Sequence, residues 1–218
     1  MRDNHGKKLR AGAILFVVAG FLYLACEAIS ALSWRDPAYQ YAHNYISDLG
    51  IPVVTQFGGR PIHSPLHGVM NCGFISHGLL FVTAFFLVTG TLPAKRKWIG
   101  LALAVVHGIG VTMVGLFPGY DWWGEPFHSL GALLAIAGGN LAILCGGLLT
   151  RNLVHQNSLS VLGVALGLIG LAGFATFMAL DGGLHAAVFE RISVYTVMLW
   201  ELLFGLFVLM KSPPTPRG

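Results

Sequence analysis

Six apolar stretches, each about a membrane thick, follow one another along the chain with short connections between them. A helix needs roughly 20 apolar residues to cross a hydrocarbon core of about 30 Å. Ala11–Leu32, Pro65–Gly90, Trp98–Phe117, Pro126–Thr150, Ser158–Leu180 and Ala187–Met210 all meet that length. They use nearly all of the 218 residues, so the expected fold is all-α, a single six-span membrane bundle over 1–218 with one long loop between its first two helices. Charged residues make up 10% of the chain. A soluble domain carries about 25%, so most of this surface faces lipid. Arg2, Lys7, Lys8 and Arg10 precede the first span as in a signal peptide. The apolar run is longer than the usual 7–15 residues of a signal core, and it reads as a retained helix.

Charge sets the orientation. Ten of the thirteen Lys and Arg residues fall on one side: Arg2, Lys7, Lys8, Arg10, Lys95, Arg96, Lys97, Arg151, Lys211 and Arg217. Arg35, Arg60 and Arg191 fall on the other. Cytoplasmic loops carry the basic excess, so both termini are expected in the cytoplasm, with the protein in the inner (plasma) membrane. The acidic residues Asp36, Asp48, Asp121, Glu125, Asp181 and Glu190 show the opposite bias. Any recognition or chemistry is therefore expected at the outer face. The net charge of +4 sits at helix ends and does not point to nucleic acid. Cys26, Cys72 and Cys145 lack paired spacing and read as small apolar residues.

Residues 33–64 form the one long connection. Structureless loops beyond about 12–15 residues are uncommon, and Trp34, Tyr39, Tyr41, Tyr45, Ile46 and Phe57 suit a folded cap. Within it runs His43-Asn44-Tyr45-Ile46-Ser47-Asp48-Leu49-Gly50. Asn, Ser and Asp so close together can satisfy backbone groups in tight turns. Alternatively, Asp48 is a carboxylate that meets a head group, a cation or a helix N-terminus. His67 and Asn71 are four apart, on one face of the second helix. His128 lies one turn into the fourth helix, after Pro126 and ahead of Gly131 and Ala132. Trp122 and Trp123 read as membrane-interface anchors.

Asn44 through Gly50, Asn71, Gly115-x-Phe117-Pro118 and His128-x-x-Gly131-Ala132 resemble the membrane family numbered 998 among the domains of unknown function. The resemblance continues through Glu190-Arg191 and Trp200, nearly the whole chain. It implies a six-span architecture and marks candidate positions, without an activity. The Ile-Ser-Asp-x-Gly loop and the helix-four His also resemble damage-regulated autophagy modulators and GPI-lipid-remodelling proteins, which implies lipid handling.

Charged residues deep in a membrane are costly and face the bundle interior or water. Glu27, Glu190, Arg191 and Glu201 fall within spans. Glu190 and Arg191 point about 100° apart on a helix, so their adjacency alone does not make them a pair. Arg191 either forms an ion pair with Asp48 or Glu27, or contacts an anionic head group, for which its planar fork is suited. His77 and His107 reach similar depths on adjacent helices, about 15–18 Å in at 1.5 Å per residue, and are the candidates for a shared metal or haem. Gly138, Gly139, Gly146, Gly163, Gly167, Gly170 and Gly173 read as close helix contacts.

The expected pocket comprises Asn44, Ser47, Asp48, His67, Asn71, His128, Glu190 and Arg191, binding or remodelling a lipid or other amphiphile. A catalytic version, a lipid hydrolase or transferase, would use His128 as general base, or Asp48 and His as metal ligands. Binding without catalysis fits the residues better, and they specify no cofactor. The alternatives are a scaffold that binds a protein partner through the outer loop, and a transporter. Transport has less support, because no proline interrupts a span and no internal repeat is evident.

Overall fold

In a computed structural model of the chain, the described residues are 2–57, 59–90, 94–121, 123–154, 156–180, 182–183 and 185–211. Trp122, Asp181 and Arg217 lie outside them, as do the side chains of Arg2, Phe57, Lys95, Arg96 and Arg151. Among the described residues are six α-helices: α1 Arg2–Ser33, α2 His67–Thr89, α3 Ala94–Leu116, α4 Gly124–Val154, α5 Asn157–Leu180 and α6 Ala186–Lys211. Each is long and apolar enough to cross a membrane. The protein is a multi-pass membrane bundle.

Several helices run past the apolar stretches that predict them, α1 by nine residues at its start. Apolarity marks what is immersed in lipid, whereas backbone hydrogen bonding continues into the polar turns beyond it. The second helix starts at His67 instead of Pro65, after a tight turn in which the His67 N–H bonds the Ser64 carbonyl at 3.2 Å.

Neighbouring helices pack in sequence order, and α6 closes the ring against α1 while also touching α4. One half of the interior is solid. Phe16 meets Phe81, Phe85, Trp200 and Phe204 edge-on at ring-centre distances of 5.3–6.1 Å. Edge-to-face contacts suit the aromatic quadrupole. Glycines bring α4 and α5 together at this level: a Cβ on Gly163 would lie 2.7 Å from the Gly147 Cα.

The other half is covered by the long connection, which folds as a cap. It contains a 3-10 turn, Ser47–Gly50, and a hairpin of β1 Thr55–Phe57 and β2 Arg60–Ile62, with Phe57 opposite Arg60. Trp34, Ile46, Leu49, Ile51 and Ile62 are buried beneath it. Their removal from water holds the cap on the helices.

Candidate functional site

The cap motif is fastened first by Asp48. Its Oδ2 accepts the Tyr45 N–H at 2.9 Å and the Arg60 Nε–H at 3.1 Å, and Oδ1 accepts from Arg60 Nη2 at 3.3 Å. The hairpin turn delivers Arg60 to this position, with its guanidinium 3.9 Å above the Tyr45 ring centre. Burial disfavours the Arg60 charge, but the hydrogen bonds and charge of Asp48 outweigh it and raise the Arg60 pKa above its ordinary value. Burial also raises the phenol pKa values of Tyr39, Tyr41 and Tyr45, against the opposing pull of the nearby arginines.

Glu190 and Arg191 grip the same cap segment at two points, because adjacent helical residues diverge. Glu190 Oε2 accepts the Ile46 N–H at 2.7 Å. Arg191 Nη1 donates to the Asn44 carbonyl at 2.7 Å, and Nη2 donates to the Tyr39 hydroxyl. Arg191 also lies 3.7 Å from Glu27, whose other neighbour is the Tyr195 hydroxyl at 2.8 Å. Of the two expected acidic neighbours of Arg191, Glu27 is therefore found beside it and Asp48 pairs with Arg60 instead. Asn71 Nδ2 donates to the Gly50 carbonyl at 2.9 Å, and the Asn71 side chain fills the space a Cβ on Gly50 would need. His67 Nδ1 lies 3.2 Å from the Ser64 carbonyl, and the Asn44 side chain accepts the Gln40 N–H.

Beneath the cap lies a cavity of about 530 Å³. Ser47, Asp48, His128 and Glu190 line it, whereas Asn44, His67, Asn71 and Arg191 do not and serve to tie the cap down. Tyr45 and Glu125 add polar groups, and Phe74, Val111, Val197 and Met198 add apolar wall. Its rim reaches the lipid-facing surface: Leu130, Leu133 and Met178 line the cavity and are 47%, 46% and 61% exposed. The opening has a packing cause. Gly167 rests on Asn140 and Leu144 of α4, but further along α5 Gly173 rests on Ile192 of α6. Along α5 the glycine contacts thus pass from α4 to α6 towards the cap, and Leu133 of α4 and Phe177 of α5 both line the cavity.

Three histidines line the cavity, and each has one ring nitrogen engaged. His128 Nδ1 lies 2.9 Å from the Phe117 carbonyl and His107 Nδ1 2.7 Å from the Ala135 carbonyl. His77 Nε2 is 3.2 Å from both carboxyl oxygens of the fully buried Glu201. The His77 and His107 rings are nearly perpendicular, with centres 5.3 Å apart. His77 Nδ1 and His107 Nε2 are buried and have no hydrogen-bond partner among the described residues. Gly139 makes room for His107, since a Cβ there would lie 2.6 Å from its Nδ1. No group of three or more potential metal ligands occurs among the described residues. Asp48 has both oxygens occupied and His128 bonds a main-chain carbonyl, so the described contacts link neither into a nucleophile–base pair.

Arg60, Tyr23 and the α5 residues Phe174, Phe177 and Met178 are contributors that the sequence reasoning does not pick out. Arg60 carried a signal, as one of three basic residues on the acidic side. The α5 residues carried none beyond apolarity.

Fold and site together define a six-span helical membrane protein with a capped cavity open to the lipid side. Residues 17–206 match the family described as "Protein of unknown function (DUF998)", and the chain belongs to that family. No curated protein and no solved structure matches it. The resemblance to autophagy modulators and GPI-remodelling proteins accordingly gains no support.

Proposed function

We propose that the protein binds an amphiphile, with one alkyl chain inside the cavity and the head group below the cap. The observation that carries this reading is the form of the cavity. It is apolar over most of its wall, polar beneath Tyr45–Asp48, and open sideways through leucines that face lipid. Its volume falls within the roughly 300–1,000 Å³ of small-molecule sites. An amphiphile entering from the bilayer keeps its chain out of water throughout. Membrane lipids are then the natural source of the ligand. The basic excess on the side opposite the cap supports an inner-membrane protein with cytoplasmic termini, which places the polar end of the cavity at the outer leaflet.

Native mass spectrometry of the detergent-purified protein tests the reading, with Leu133→Trp as a variant that narrows the opening from its lipid-facing rim. A co-purified amphiphile is expected on the wild type and depleted on the folded variant. A wild type that carries no adduct and takes up none from added lysolipid contradicts the proposal, as does equal occupancy of the variant.

A further inference from the structure

We propose that the head group the cavity selects is a hydrogen-bond donor, a protonated amine above all, and not a phosphate or carboxylate. This rests on the reading that the cavity holds an amphiphile, and it follows from which polar atoms remain for a ligand.

A carbonyl oxygen can only accept. The Nδ1 atoms of His128 and His107 therefore carry their ring protons, towards Phe117 and Ala135. A neutral imidazole with Nδ1–H engaged presents Nε2 as an acceptor. At His77 the Nε2 is engaged by the two Glu201 oxygens at 3.2 Å, so this ring answers Glu201 and does not enter the balance. Along the cavity wall His128 and His107 thus offer Nε2 lone pairs.

The carboxylates act in the same sense. Glu190 is 7% exposed and lines the cavity. Its Oε2 is taken by the Ile46 N–H, while Oε1 has no hydrogen-bond partner among the described residues. Glu125 adds acidic character to the same end. The cations that could answer an anionic head are committed elsewhere. Arg60 is held by Asp48, and Arg191 by Asn44, Ala187 and Tyr39. No Lys or Arg among the described residues lines the cavity. Hydroxyls of Tyr23, Tyr45 and Ser47 can play either role and do not alter the balance.

A phosphate or carboxylate head would meet acceptors and, among the described residues that line the cavity, no Lys or Arg to answer its charge. An ammonium has three donors and no acceptor, the complement of Glu190 Oε1 and the His128 ring. A hydrogen bond from a charged donor is about twice as strong as a neutral one.

The experiment compares three amphiphiles with one dodecyl chain: dodecylamine, dodecyl phosphate and monolauroylglycerol. Binding to full-length wild type and to Glu190→Gln is titrated in a non-ionic detergent. Glutamine still accepts the Ile46 N–H, so the cap stays anchored. The wild type is expected to bind the amine at least about tenfold tighter than the phosphate. Glu190→Gln is expected to lose about tenfold for the amine and less than about twofold for the neutral glyceride. Phosphate binding as tight as amine binding on the wild type overturns the head-group inference, and that comparison stands even if the variant fails to fold. An unchanged amine affinity in a folded Glu190→Gln overturns it too, with the amphiphile reading intact. If none of the three binds, both fall.

Discussion

Replacing Arg60 by alanine strands a buried carboxylate, and its effect can be worked out from the contacts. Asp48 is 2% exposed and would keep only the Tyr45 N–H. Removing one partner of a buried ion pair costs about 3–5 kcal/mol. The Arg60 side chain is 14% exposed, so water reaches the gap it leaves, and the lower figure of about 3 kcal/mol applies. Asp48→Asn removes the charge while its amide oxygen still accepts from Tyr45, at about 1.5 kcal/mol, the low end for hydrogen bonds to charged groups. The double variant strands no charge, so it should be more stable than Arg60→Ala alone by about 1 kcal/mol, a coupling of about 2.5 kcal/mol and within the roughly 0.5–3 kcal/mol found for residues in contact. At about 2–4 °C per kcal/mol for a chain of this size, Arg60→Ala lowers Tm by roughly 6–12 °C and Asp48→Asn by roughly 3–6 °C. Tryptophan fluorescence during thermal unfolding in detergent reads these shifts. An Arg60→Ala protein within about 2 °C of wild type would refute the clamp, as would losses that simply add.

Three further outcomes follow from other parts of the molecule. Gly170→Ala drives a Cβ into the Asn140 and Thr196 side chains, which bond each other and the Ser193 carbonyl. Overpacking costs about 1–3 kcal/mol, so a Tm lowered by several degrees is expected, and an unchanged Tm contradicts this packing. Burial raises the Tyr39 phenol pKa above the unfolded value of about 10. Stability from this group is thus complete below pH 10 and falls as the pH rises further. Difference spectra of wild type and Tyr39→Phe should show the Tyr39 phenolate only as the fold is lost; its appearance near pH 10 in folded protein contradicts the burial. In a background lacking Cys26, Cys72 and Cys145, a cysteine replacing Val54, 77% exposed on the cap, should react with an impermeant maleimide on intact cells. A cysteine at Lys97 should react only after permeabilisation, and the reverse pattern overturns the proposed orientation.

The spans were legible because bilayer thickness dictates about 20 apolar residues whatever the packing. The polar ends of α1 and α3 were not, since hydrogen bonding there continues without an apolar signal. Asp48 stood out through the turn chemistry around it. Its partner did not, because a hairpin register carries Arg60 across twelve residues of sequence. The matched depth of His77 and His107 came from helical rise alone. Which nitrogen each presents depends on Glu201 and the Ala135 carbonyl, and no spacing encodes that. The cavity was the least legible feature. It exists because α5 leaves α4 for α6 between Gly167 and Gly173, and a stripe of glycines says that helices approach without saying which neighbour each one meets.

The most direct test of the amphiphile site is photo-crosslinking with a dodecylamine that carries a diazirine near its chain end, followed by peptide mapping. Labelling concentrated on the cavity wall, at Leu133, Phe177 and Val197, and displaced by unlabelled dodecylamine, is the expected result. Label spread equally over outward-facing positions such as Phe21, Val161 and Leu199, 55%, 68% and 44% exposed, and insensitive to competitor, would contradict the account.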